Sequence, residues 1–378
     1  MELHKVLSIY TVIMFSLLTF LLFPGVKQGF ESHHLLFLYI IVFSYIIANV
    51  ATPLVKAIAA YCHVVDKPGG RKIHLNATPL MGGAAVYVAF AVAILYNNVY
   101  SLELKGVAIG ATIVFIMGLV DDVKSLPAKL KLLVQTGATM VMIQYGVMAD
   151  FMPNTWWGKL AETLVTLIWV IGITNALNFF DGMDGLAAGL TIVCSLFISI
   201  LAVQYGQKYV LYLSLALMGS SLGFLPYNLR YKKAAGIFLG DGGSTFMGYM
   251  LASLTIMGGW GTNDPVKSYT LPVLVLGILI FDMSYTTVTR FKNKQIASFT
   301  EYLSFTGKDH LHHRLEQLGF TRKQTVFFIY FVAASLGLNA LVLRNGSTLD
   351  ALLLLLQATL ICIAIVILMV KKGNGNKP

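Results

Sequence analysis

Twelve apolar runs of membrane-spanning length leave this chain little room for anything but a helical bundle in lipid. They lie near residues 7–24, 35–58, 79–96, 105–120, 129–147, 160–177, 186–204, 209–225, 242–259, 271–289, 325–343 and 349–370. A crossing takes about 20 apolar residues, and a segment without water must satisfy its own backbone hydrogen bonds. Charged residues make up only 12% of the chain, against about a quarter in a soluble domain, and no polar stretch is long enough to fold apart. The expected fold class is an all-α polytopic integral membrane protein with about 11–12 transmembrane helices, in a single transmembrane domain, 1–378.

The run 242–259 is the weakest, being glycine-rich and partly polar. No internal repeat is visible, so an inverted-repeat transporter has no support. The first run lacks a small-residue cleavage site and is long enough to span, so it reads as a retained anchor helix rather than a signal peptide. Cys62, Cys194 and Cys362 lie far apart. They match no metal or redox spacing and read as apolar packing residues.

Lysine and arginine set the orientation. With the N-terminus inside, one set of loops holds 21 of the 27 and the other set holds 6. This argues for an even number of spans, with both termini cytoplasmic. The polar motifs then fall on one side. "DKPGGRKIHLNATPLMGG" (66–83), "GLVDDVKSLPAKLK" (118–131), "NFFDGMDGLAAG" (178–189), "LPYNLRYKKAAGIFLGDGGSTFMG" (225–248) and "GKDHLHHRLEQLGF" (307–320) all sit at cytoplasmic ends of runs. Five segments converging on one membrane face suggest one composite site.

Asp121 and Asp122 follow an apolar run directly. Adjacent carboxylates repel, so one should be raised in pKa or held by a cation; interfacial charges reaching for water are the plainer alternative. Asp181 and Asp184 are spaced to share a face if helical, and Gly182 and Gly185 would admit a ligand close to the backbone. A polar helix end with turn glycines fits the same residues. "GDGGST" (240–245) suggests a phosphate-binding turn before a helix. Its aspartate, Asp241, would repel phosphate unless it held a divalent cation that phosphate also binds, so Asp241 is the expected metal ligand. His310, His312, His313 and Arg314 stand together. The run cannot wrap a zinc ion alone; a polar or cationic grip on phosphate fits better. Lys72, Lys129 and Lys131 add charge for a diphosphate or for anionic headgroups, and His74 stands beside them as a candidate substrate contact. Carboxylates for Mg²⁺, cations for polyphosphate and a site at lipid depth imply phosphoryl transfer between a lipid and a soluble anionic substrate. No nucleic-acid partner is expected. A nucleotide-sugar or anion transporter and a Mg²⁺-dependent lipid-phosphate phosphatase are the alternatives.

These motifs, in this order from about 66 to 325, resemble the polyprenyl-phosphate N-acetylhexosamine-1-phosphate transferases, the superfamily of WecA, TagO and MraY. The stretch "HLHHRLEQLGFTRKQTV" is similar to the WecA and TagO branch. The three-histidine run followed by Phe-Glu of the MraY type is missing, which disfavours a muramoyl-pentapeptide substrate. The resemblance implies a bacterial plasma (inner) membrane enzyme with a cytoplasmic active site. It would transfer N-acetylglucosamine 1-phosphate from UDP-GlcNAc to undecaprenyl phosphate, releasing UMP and starting an envelope polysaccharide such as teichoic acid or O-antigen. Another UDP-N-acetylhexosamine would serve the same reaction. The cofactor implied is Mg²⁺, with Mn²⁺ as a substitute.

Carried over residue by residue, Asp241 matches the metal ligand. Asp121 and Asp122 match the catalytic pair, proposed to ligate metal or deprotonate the lipid phosphate. Asn178, Asp181 and Asp184 match positions lining nucleotide and metal, and Phe238 an aromatic near the uracil. His310, His312 and His313 match the histidine motif, with Arg314 as a TagO-like neighbour. Residues 66–325 form the implied catalytic core and 325–378 the C-terminal helices and basic tail. The run 7–24 is extra to the eleven-span pattern of WecA. A homodimer is compatible with this reading.

Overall fold

The computed structural model describes residues 9–66, 77–230, 233–260, 264–296, 307 and 309–373. Fifteen α-helices account for nearly all of this. They are α1 (Ile9–Leu21), α2 (Pro24–Ser32), α3 (Leu36–Tyr61), α4 (Gly82–Tyr96), α5 (Leu102–Val123), α6 (Ala128–Gln144), α7 (Trp156–Phe180) and α8 (Leu186–Gln204). They continue with α9 (Lys208–Asn228), α10 (Gly240–Met257), α11 (Pro265–Val275), α12 (Gly277–Lys292), α13 (Leu311–Gln317), α14 (Arg322–Val342) and α15 (Thr348–Gly373). One two-residue ladder pairs Val65 with Pro79 and Asp66 with Thr78, antiparallel.

Over their described residues all twelve apolar runs are largely helical, so the all-α membrane fold stands. Among the described residues seven helices are long and apolar enough to cross a membrane, or up to nine if two bent pairs each count as one span. The run 271–289 is not one helix. It breaks at Leu276 into α11 and α12, inclined at 79°. Pro272 lies one turn before the break and Gly277 directly after it, two residue types that weaken a continuous helix. The first run also ends early, at Leu21, where Pro24 opens α2 at 68° to α1.

Local caps set several boundaries. The Ser101 hydroxyl accepts from Leu104 N–H at the start of α5, and Thr155 accepts from Gly158 N–H at the start of α7. Thr321 and Gln324 form a reciprocal capping box at α14. Such caps satisfy backbone donors that the first helical turn leaves orphaned.

The weakest run became the central helix. From Gly242 to Thr255 every residue of α10 is buried, packed among α4, α5, α7, α8 and α9. Its low hydropathy follows from its neighbours: it touches protein on all sides rather than lipid, and small or hydroxyl side chains let helices approach closely. Gly118 of α5 and Gly83 of α4 flank its start. A Cβ on Gly118 would sit 2.5 Å from the Asp241 carbonyl oxygen, and one on Gly83 would sit 2.1 Å from the Gly243 Cα. Further along, Phe246 receives the edges of Tyr87 and Phe115, which stack on each other at 4.0 Å. By contrast α15 is only 11% buried and presents leucines and isoleucines outward, as a lipid-facing helix does.

Candidate active site

The start of α10 is capped from another helix. Leu239, its own N-cap residue, makes no side-chain cap. Instead Asp122, at the end of α5, accepts Asp241 N–H at 2.7 Å on Oδ1 and Gly242 N–H at 3.2 Å on Oδ2. A carboxylate suits the positive end of a helix and its orphan donors. The approach needs Gly240, whose φ is +80° and whose Cβ would lie 2.5 Å from Asp122 Oδ2. Asp122 is therefore spent on holding Asp241 in place.

Asp121 points elsewhere. It accepts the Leu126 N–H at 2.6 Å on Oδ1 and pairs with the Lys131 ammonium through Oδ2. The same ammonium lies 3.1 Å from Asp241 Oδ2. Two carboxylates from α5 and α10 thus share one cation from α6. The Asp241 side chain remains 36% accessible and that of Lys131 28%, so this point is open to a ligand. Lys129, two residues away, is exposed and is not drawn into the cluster.

The stretch "NFFDGMDG" is not a continuous helix, so the shared helical face expected for Asp181 and Asp184 does not form. Asp181 caps the end of α7, and Gly185 at φ +83° starts α8. The left-handed backbone at Gly185 breaks the helical path where a helix would have continued. The turn separates the two carboxylates. Burial, and then the nearby charges of Asp241 and Asp122, push Asp181 well above the usual carboxylate range, against a backbone hydrogen bond from Gly240. Asp184 turns to the other side and accepts Ala235 N–H at 3.0 Å. Asn178 donates to Ser244 Oγ at 2.9 Å, tying α7 to α10.

The histidines stand against this turn. His312 is 1% exposed and neither ring nitrogen has a hydrogen-bond partner among the described residues. A Cβ on Gly182 would come 2.8 Å from its Nε2. Burial, and then the neighbouring His313 and His310, hold it well below the usual histidine range, so it is neutral. His310 stacks on Phe179 at 4.6 Å and is bonded at both ring nitrogens, to Asp282 and Arg290. His313 lies 3.7 Å from Glu316. Arg314 is held between α12 and the segment before α13: its Nε donates to the Asp309 carbonyl, its Nη2 to Thr289 Oγ1, and its guanidinium lies 4.9 Å over Tyr285. Phe238 contributes its backbone, accepting Gly82 N–H and donating to Pro79. Lys72 and His74 lie outside the described residues.

Asn228 was missed by sequence reasoning, although it lies inside the quoted "LPYN". It accepts Gly185 N–H at 2.6 Å and donates to the Ile237 carbonyl at 3.0 Å, joining the DGMDG turn to the GIFLGD loop. Asp282, Arg290 and Asp309 were missed too. An aspartate inside the run 271–289 was the available signal, since a charge in an apolar run needs a use.

Among the described residues no three carboxylate, thiol or imidazole groups converge as a protein-only cation site. Two carboxylates converging on one ammonium still fit Mg²⁺, which takes one or two protein carboxylates, keeps water and completes its shell with phosphate. Asp121 and Asp241 are the pair that would hold it.

The sequence profile of glycosyl transferase family 4 matches residues 104–259. A Bacillus subtilis protein named probable undecaprenyl-phosphate N-acetylglucosaminyl 1-phosphate transferase is 35% identical over 79% of this chain and 82% of its own length. The decaprenyl-phosphate N-acetylglucosaminephosphotransferase of Mycobacterium leprae is 33% identical over 75% of this chain and 78% of its own. The undecaprenyl-phosphate alpha-N-acetylglucosaminyl 1-phosphate transferase of Escherichia coli K12 is 28% identical over 74% and 77%.

Proposed function

The chain belongs to the polyprenyl-phosphate N-acetylhexosamine-1-phosphate transferases of glycosyl transferase family 4, and from that membership we propose its reaction and the role of each site residue. The enzyme moves N-acetylglucosamine 1-phosphate onto a polyprenyl phosphate. The donor is UDP-GlcNAc and the acceptor undecaprenyl phosphate. A lipid phosphate oxygen attacks the β-phosphorus, the bond from that phosphorus to the bridging oxygen breaks, and UMP leaves with the electron pair. One anhydride replaces another, so the equilibrium lies near balance.

The observation that carries this reading is the sharing of one cation position by Asp121 and Asp241, with Asp122 fixing Asp241 from behind. Mg²⁺ bound there would neutralise charge on the diphosphate, with Mn²⁺ as a substitute. Lys131, released from its two carboxylates, is in reach to grip the same phosphates. Asp181, half-buried beside Asp241, is held above the usual carboxylate range by burial and then by the charges of Asp241 and Asp122. His312 offers a neutral ring whose two nitrogens have no partner among the described residues. Together these groups position and screen, which is most of what phosphoryl transfer requires. The skew of 21 against 6 basic residues supports a site and both termini on the cytoplasmic side of a bacterial inner membrane.

The test is UMP release by purified protein with Mg²⁺, undecaprenyl phosphate and a panel of UDP-sugars. UDP-GlcNAc should be used in preference to its epimers, and Asp241→Ala should abolish release while the protein still inserts. Equal turnover of water as acceptor, or substantial activity in Asp241→Ala, would overturn the reading.

A further inference from the structure

We propose that Asp282 is a positioning residue for this reaction: its carboxylate fixes the ring orientation and the tautomer of His310, and so holds the HLHHR turn against the DGMDG turn. The proposal rests on the transferase reading above.

The geometry determines where the proton sits. A guanidinium only donates, and Arg290 Nη2 lies 3.3 Å from His310 Nε2. Nε2 therefore accepts, and the ring proton is on Nδ1, which donates to Asp282 Oδ2 at 2.7 Å. The other carboxylate oxygen, Oδ1, accepts Leu311 N–H at 2.6 Å. One side chain of α12 thus holds two successive groups at the start of α13. The Asp282 side chain is fully buried and that of His310 6% exposed, so water does not compete for these bonds. Arg290 is held in turn by two parallel bonds to Asp309, at 2.7 and 2.8 Å, a bidentate pair with strong directional preference.

What this chain of contacts sets is the place of the next residues. His310 lies flat on Phe179, and two positions on His312 meets Phe180 at 5.8 Å and the bare backbone of Gly182. Asp181, beside Asp241, precedes Gly182. The path from Asp282 to the carboxylate centre therefore runs through packed rings and one turn. His310 has no nitrogen left for substrate. Its place in the histidine motif is to transmit the position that Asp282 dictates, as buried carboxylates do for imidazoles elsewhere by fixing the tautomer.

Asp282→Asn separates this from a role in folding alone. The carboxamide keeps the shape and still accepts from Leu311, but then presents NH₂ to Nδ1. The ring proton must move to Nε2, where it faces the Arg290 donor. In protein labelled with [¹⁵N]histidine, the His310 resonances are identified as those lost in His310→Gln. Wild-type protein should show a protonated Nδ1 and a bare Nε2 at His310, and Asp282→Asn the reverse. The kcat for UMP release should fall by about 100-fold with KM for UDP-GlcNAc within about threefold. Wild-type kcat in Asp282→Asn overturns the proposal, as does a wild-type His310 protonated on Nε2. The latter is read on the wild-type protein alone, so a variant that fails to fold does not shelter the idea. A wild-type protein that releases no UMP overturns instead the transferase reading beneath it.

Discussion

The carboxylate of Asp122 receives the backbone N–H of Asp241 at 2.7 Å, so the residue that the cation site depends on is placed by its neighbour across two helices. The adjacent pair Asp121 and Asp122 thereby divides its work. Asp121 faces the shared cation position and Asp122 faces the helix start. Asp122→Asn retains one acceptor but turns an amide donor toward Gly242 N–H. It should lower UMP release by about 100-fold, the penalty of a small misplacement at a reacting centre, and raise the Mg²⁺ concentration needed for half-maximal rate. Gly240→Ala should do the same, because its Cβ would press on the Asp122 carboxylate at 2.5 Å. A Mg²⁺ requirement unchanged in both variants would show that Asp122 acts by some route other than Asp241.

Lys131 occupies the point where its two carboxylate partners meet. A divalent cation entering there must displace an ammonium already bound to Asp121 and Asp241. Replacing it by an uncharged chain of similar length, Lys131→Met, leaves two carboxylates with no counter-ion, and a cation then binds without that competition. Mn²⁺ titrated into substrate-free protein and followed by electron paramagnetic resonance should bind about tenfold more tightly, a difference of about 1.4 kcal/mol. Activity should fall in the same variant, since the lysine is no longer present to hold diphosphate. Weaker Mn²⁺ binding would mean that Lys131 supports the metal rather than stands in for it.

Much of this arrangement was legible before any coordinates. The five polar motifs lie at helix ends because a carboxylate in mid-bilayer is costly, and that rule located Asp121, Asp181 and Asp241 directly. The same rule covers Asp282, which sits inside an apolar run and holds His310. Hydropathy alone undervalued α10, since a helix surrounded by helices has no need of lipid-facing side chains. Spacing alone could not decide between a helical face and a turn at Asp181 and Asp184; Gly185 settles it through its positive φ. The roles of Asn228 and Arg290 depend on partners far along the chain, and no local pattern specifies those.

Gly182 leaves room for His312. An alanine methyl there would come 2.8 Å from Nε2, and the ring has His313 at 4.2 Å and Phe180 at 5.8 Å on its other sides. The methyl presses on a ring that is 1% exposed, so Gly182→Ala should reduce kcat by about 10- to 100-fold and lower the unfolding temperature as well. Loss of stability without loss of turnover would place His312 outside the reaction path.

Asp181 adds to the pH dependence of the cation-free protein. Its folded pKa is raised, first by burial and then by the charges of Asp241 and Asp122. The unfolded chain releases this proton near pH 4, while the folded protein retains it to much higher pH. Between those values the folded state binds more protons, so stability falls as pH rises. The contribution is fully present below the unfolded value and is lost progressively through the folded one. Asp181→Asn removes the titrating group with little change of shape. In chelator, the unfolding temperature of wild-type protein should decline relative to Asp181→Asn as pH rises from about 5 to 8, and the variant should be the more stable at the upper end. Saturating Mg²⁺ should narrow the gap, because a bound cation offsets the neighbouring negative charge. Parallel curves for the two proteins across this range would show that Asp181 ionises in the folded state as freely as in the unfolded chain.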